Sequence, residues 1–174
     1  MTAREFINRL ANGKIDIFQI TLDILSKANA DYCLIGGIAV NAYAEPVVSL
    51  DFDLVVVSEK IDEICRTAKN EKLKIRRFEH SINFSSSQSA LIIQIQMDAR
   101  YQEFVQRSVM KDVFGYHVKV ASIEDVLQGK IWAYSDSARR KSKRQKDLAD
   151  ITRLLESHPF LKKQIPKEIM ERID

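Results

Sequence analysis

The stretch from Tyr32 to Val57, YCLIGGIAVNAYAEPVVSLDFDLVVV, constrains this chain more than any other. Tyr32–Ile35 is an apolar strand, Gly36 and Gly37 make a turn, and residues 38–44 make a short helix. A loop through Pro46 leads to a second strand that opens with Asp51 and Asp53 and runs on into Leu54–Val57. Side chains two apart on a strand share a face, so both carboxylates project to one side. Acids are rare in strands, and a pair beside a buried apolar run asks for a chemical reason. A Gly-Gly turn leading into a helix offers bare backbone N–H groups and the positive end of a helix dipole, which suit a phosphate. Two carboxylates on one face suit a hard divalent cation such as Mg²⁺. Together they are the minimum equipment for chemistry on a nucleoside triphosphate.

The rest of the chain alternates helices and strands and then turns helical. Helices are predicted over residues 2–12 and 15–28, the second with an apolar stripe of Phe18, Leu22 and Leu25 broad enough to cover a sheet. Ser58 is placed to cap a helix from Glu59 to Lys69. Strands are predicted at Leu73–Phe78 and Ala90–Asp98, with a short one in the polar stretch between. In Ala90–Asp98 the residues Leu91, Ile93, Ile95 and Met97 share one face, and Ile92, Gln94, Gln96 and Asp98 the other. A helix over Tyr101–Val109 follows, and then a strand or hairpin over Val113–Val120, around Gly115. Ser122, with Glu124 and Asp125 behind it, starts a helix running to Tyr134. Two more helices span residues 143–156 and 160–173. This order predicts an α/β (α+β) fold, with a core over residues 1–120 and a helical part over residues 121–174.

Bulk properties fit a single globular unit of 174 residues. The chain starts without an apolar signal-like region, and no run approaches the ~18 apolar residues of a membrane span. A soluble cytoplasmic protein is the expectation. Cys33 and Cys65 lie in dissimilar apolar settings and are expected to pack in the core. His80, His117 and His158 are isolated, and no serine sits in an elbow-type motif. The densest basic run is Arg139, Arg140, Lys141, Lys143, Arg144 and Lys146. It is either a solvated connector or an electrostatic footprint for nucleic acid.

The order of hydrophobic strand, Gly-Gly, helix and Asp-x-Asp resembles the nucleotidyltransferase superfamily, and within it the AbiEii/AbiGii-type branch associated with toxin–antitoxin and phage-defence pairs. The likeness continues through IQIQMDARYQ (Ile93–Gln102), VASIEDVLQGKIWAYSD (Val120–Asp136) and SKRQKDLADI (Ser142–Ile151), so it covers about residues 30–157. The resemblance implies a mixed β-sheet flanked by helices. It implies Asp51, Asp53 and Asp98 as catalytic and metal-holding carboxylates for Mg²⁺ or Mn²⁺. It implies Gly36, Gly37, Ser49, Lys130 and Lys146 as the nucleotide-binding set, with Asp147 and Asp150 in support. Relatives often carry Arg four residues before the first Asp, where this chain has Val47.

The activity so implied is transfer of a nucleoside monophosphate from an NTP, ATP among the candidates, to a hydroxyl. Acceptors would be a tRNA 3′ end or a protein, and the partner a cognate toxin or antitoxin protein. The alternative is a catalytically silent fold that binds RNA or protein.

Overall fold

The computed structural model describes residues 1–173; Asp174, the last residue of the predicted helical part, lies outside them. Two helices open the chain, α1 (Ala3–Leu10) and α2 (Ile17–Lys27). Strand β1 (Tyr32–Ile35) leads directly into α3 (Gly36–Val40), and β2 (Asp51–Val56) follows. Helix α4 (Ile61–Asn70) precedes β3 (Lys74–Arg77), β4 (Ser81–Ser86) and β5 (Ser89–Gln96). The hairpin β6 (Val109–Val113) and β7 (Tyr116–Val120) completes a seven-stranded mixed sheet of order β3-β4-β5-β2-β1-β7-β6. The chain ends in α5 (Ile123–Ser135), α6 (Lys141–Ser157) and α7 (Lys167–Ile173). No described helix is long and apolar enough to cross a membrane.

Side-chain alternation decides which face of the sheet does what. Phe52 is fully buried and packs on Phe18 of α2, ring centroids 4.3 Å apart. Tyr116 closes edge-on against Phe18 at 4.9 Å. In β5, Leu91, Ile93 and Ile95 are buried, and Ile93 lies opposite Phe52. This apolar layer directs Asp51 and Asp53 to the other face. There β2 runs parallel to β5, pairing Asp51 with Ile92 and Asp53 with Gln94. The antiparallel neighbour β1 sets Ile35 against Asp53. Helices α3, α5 and α6 pack together over this second face.

Several local expectations change. Helix α3 starts at Gly36 itself and lasts little more than one turn, and Gly36 makes the bend out of β1 at φ +72°, a left-handed conformation open to glycine. Ser58 caps nothing with its side chain; residues Ser58–Lys60 form a 3₁₀ turn before α4. In place of a helix over 101–109, Asp98 caps a 3₁₀ segment, Ala99–Val105, and Val109 already belongs to β6. Ser122 does cap α5, accepting from the Asp125 N–H at 3.2 Å. The last predicted helix divides at Pro166 into a 3₁₀ segment, Pro159–Gln164, and α7.

Candidate active site

A cleft of about 720 Å³ lies between the open face of the sheet and α5. Asp51 and Asp53 stand at one part of it, with Ile35 and Gly36 beside them and Gln94 and Gln96 along the floor. Gly36 is fixed here by geometry. A Cβ at this residue would overlap the Asp53 carboxylate, so the acid lies directly against the backbone. Among the described residues no donor hydrogen-bonds the Asp53 carboxylate. Burial, the largest cause, pushes its pKa up to about 6; Asp51 adds to the rise, while Lys130, Arg139 and Lys143 oppose it. Asp51 has one cationic partner, Lys143 of α6, at 3.4 Å across a half-exposed contact.

The residues of α5 and α6 do the opposite with their charges. Lys130 is buried, and its ammonium touches Asp147 Oδ1 at 3.0 Å and Asp150 Oδ2 at 2.7 Å. Burial pulls the lysine pKa down, but the carboxylates of Asp150 and Asp147 outweigh it and the pKa ends raised. Arg139 reaches Asp147 at 2.7 Å, and Arg153 reaches Asp150 at 2.7 Å. Arg153 also donates to Asn41 Oδ1 at 2.8 Å and to the Glu45 carbonyl. Asn41 in turn bonds both the N–H and the carbonyl of Val47. The network thus ties α5 and α6 to the loop that follows α3. Gly37 is part of the fit: a Cβ there would meet Asp150 Oδ2 at 3.5 Å and Lys130 Nζ at 3.9 Å.

Three expectations from the sequence need correction. Asp98 does not join the acid pair, and among the described residues no cluster of three potential metal ligands forms. It lies beyond the end of β5, four residues past Gln94, and accepts from Arg100 Nε and Nη2 at 2.9 and 2.7 Å. That bond is the main cause holding the Asp98 carboxyl below its ordinary range. The residue opposite Asp53 on the neighbouring strand is Gln94. Lys146 is exposed and off the cleft; Lys143, one turn earlier, lines it instead. Asp150 consequently pairs with Lys130 and Arg153, not with Lys146. Ser49 stands outside the cleft lining and accepts a 3.3 Å bond from the Asp51 N–H, so it shapes the entry to β2.

The sequence reading gave no role to Arg139, Lys143 or Arg153 as individual residues. Their signal was present in helical phase. Lys143, Asp147 and Asp150 fall within one narrow stripe of α6, while Lys146 sits about 100° away from Asp147.

The donor set around Asp51 and Asp53 fits a hard divalent cation. Two same-face carboxylates, one of them desolvated and without a protein donor, present oxygen ligands whose charge the protein leaves largely uncompensated.

The profile of one family, described as nucleotidyl transferase AbiEii toxin of type IV toxin–antitoxin systems, matches residues 23–173. The chain belongs to the AbiEii nucleotidyltransferase family. Solved structures agree on the fold. Similar to it is the antibiotic-resistance factor ANT(2″)-Ia in complex with adenylyl-2″-tobramycin, at TM-score 0.64 and 12% identity, covering 91% of this chain and 97% of that one. So is an antigenic nucleotidyltransferase-like protein from Paracoccidioides brasiliensis, at TM-score 0.57 and 17% identity, covering 98% and 86%. The lincosamide adenylyltransferase LnuA bound to lincomycin follows at TM-score 0.55 and 12% identity, covering 79% and 95%. No curated protein matches the sequence.

Proposed function

We propose that this AbiEii-family chain is a Mg²⁺-dependent nucleotidyltransferase acting on an RNA 3′ hydroxyl. The observation that carries the reading is the presence, in one cleft, of an acid pair with a single loose cationic partner and a buried lysine held charged by two carboxylates. Asp51 and Asp53 would hold the divalent cation. When bound, it neutralises the triphosphate and favours the leaving pyrophosphate. Lys130 keeps its proton at neutral pH because two carboxylates support it. It therefore brings a fixed positive charge beside the Gly36–Gly37 backbone. Arg139 and Lys143 add charge on the α6 side of the cleft. The acceptor hydroxyl gives up its proton to water as its oxygen attacks the α-phosphorus, the bond to the β-phosphate oxygen breaks, and pyrophosphate departs with that electron pair. Catalysis is positioning plus charge stabilisation, as in phosphoryl transfer generally.

An RNA acceptor is favoured by a second hollow, about 500 Å³, lined by Lys141, Arg144 and Arg172. Arg139 lines both it and the cleft, so a basic side chain stands where the two meet. Phosphate contacts of this kind position a nucleic acid without reading its sequence.

A catalytically silent fold in a toxin–antitoxin pair is the second reading. The observation for it is that Gln94, not an acid, lies opposite Asp53. Incubation with each α-labelled NTP, Mg²⁺ and total tRNA separates the two. Label on RNA with wild type and none with Asp51→Asn establishes the transferase. Label that remains with Asp51→Asn removes the acid pair from the account, and RNA binding without transfer by wild type selects the silent fold.

A further inference from the structure

The cleft continues past Gln94 and Gln96 to a second end built from aromatic groups and one ion pair. Trp132 of α5 lines it, half-buried, with its ring stacked at 8° on Phe104 and edge-on to Tyr101. The Arg100 guanidinium lies over the indole, 4.8 Å from the ring centroid. Among the described residues only Asp98 holds the Arg100 side chain there by hydrogen bonds, and that side chain is 57% exposed. A flat, delocalised cation on an indole marks a face wide enough for a planar ring. An ion pair this exposed is weak, whereas stacking a base on an aromatic side chain is a substantial gain.

Distance supports the same occupant. Asp98 lies four residues past Gln94, which pairs with Asp53, roughly 13 Å at the rise of an extended chain. That is about the reach from the phosphates of a nucleotide to the far edge of its base. Gln94 and Gln96 line the floor between, polar groups suited to a sugar.

We propose that Trp132 is the nucleobase platform of the cleft, with Arg100 as its displaceable cover and Asp98 as the tether of that cover. This rests on the nucleotide reading above and deepens it. An NTP seats its phosphates at Asp51 and Asp53 and stacks its base on Trp132, while Arg100 swings aside toward solvent. Asp98 thereby acts on Arg100 and holds no metal.

Trp132 is the only tryptophan in the chain, so its emission reports on the platform directly. The full chain with Mg²⁺ is titrated with ATP, GTP, CTP, UTP and, as a baseless probe, inorganic tripolyphosphate. Emission and calorimetry are followed together. At least one NTP is expected to quench emission saturably, and tripolyphosphate to bind without quenching. Trp132→Leu, checked for native circular dichroism, weakens NTP binding about tenfold and leaves tripolyphosphate unchanged. Asp98→Asn frees the cover and tightens NTP binding roughly two- to threefold, the worth of one exposed ion pair. Calorimetric NTP binding with no change in emission overturns the platform and leaves the nucleotide reading standing. So does loss of tripolyphosphate binding in Asp98→Asn, which would return Asp98 to the metal. Failure of both NTP and tripolyphosphate to bind overturns the platform and the nucleotide reading together.

Discussion

Two groups of carboxylates stand at one cleft, Asp51 and Asp53 on its floor and Asp147 with Asp150 behind its wall, and are treated in opposite ways. Asp147 and Asp150 are each engaged by Lys130 and by an arginine, and the lysine and both acids are largely buried. Asp51 and Asp53 have a single loose partner, Lys143, for two acids, and Asp53 is desolvated besides. Buried charge is costly unless paired. The first group meets that cost within the protein and serves to position. The second leaves it unmet, which is what a binding site for an external cation requires.

The comparison breaks most visibly at its closed half. Lys130→Met removes the shared cation of two buried acids and is expected to destabilise the fold by roughly 3–5 kcal/mol, as loss of one partner from a buried pair does. Denaturant unfolding measures it. A loss under 1 kcal/mol would mean that Arg139 and Arg153 suffice without the lysine.

The open half should respond with the reverse sign. The Asp53 pKa of about 6 in the fold stands above its ordinary 3.8. The folded state therefore binds this proton more tightly than the unfolded chain. Without metal, stability falls as pH rises from about 4 to about 6 and is level above that. The total is up to roughly 3 kcal/mol at 1.36 kcal/mol per pKa unit. Asp53→Asn removes the penalty, so in chelator the variant unfolds at higher denaturant than wild type at pH 7.5, and the gap closes near pH 4. A variant that is less stable at pH 7.5 would show that the carboxylate is already satisfied.

Smaller effects sharpen the boundary between the halves. Gly36→Ala adds a Cβ where φ is positive and Asp53 already lies, at roughly 1–2 kcal/mol for the backbone alone. It is expected to lower Mg²⁺ affinity as well as thermal stability, by displacing Asp53. Lys143→Gln touches an exposed pair, so its effect on stability stays below about 1 kcal/mol. An equally small effect on Mg²⁺–NTP binding would reduce Lys143 to a surface residue.

Local pattern carried much of this into the sequence. The alternation of Leu91, Ile93 and Ile95 against Gln94 and Gln96 set the buried and open faces of β5 correctly. The same rule put Asp51 and Asp53 on one face. What local pattern could not give was register between strands distant in sequence. Asp98 sits at an even spacing from Gln94 and Gln96 and so shares their face, but pairing sets Gln94 beside Asp53 and leaves Asp98 at the far end. The choice of Lys146 over Lys143 failed for a related reason, since both lie near Asp147 in sequence and the packing of α6 on the sheet selects between them. The edge hairpin was half-legible. Gly115 and Phe114, both at positive φ, mark its turn, while the exposed Val109 and Met110 gave β6 no alternating pattern.

The most direct measurement of the central claim is calorimetric titration of Mg²⁺ together with a non-hydrolysable NTP analogue, comparing wild type with the Asp51→Asn/Asp53→Asn double variant at pH 7.5. Wild type is expected to show saturable binding that depends on the metal, and the double variant none, with its fold retained or firmer. Equal binding by both proteins would contradict this and move the nucleotide away from the acid pair.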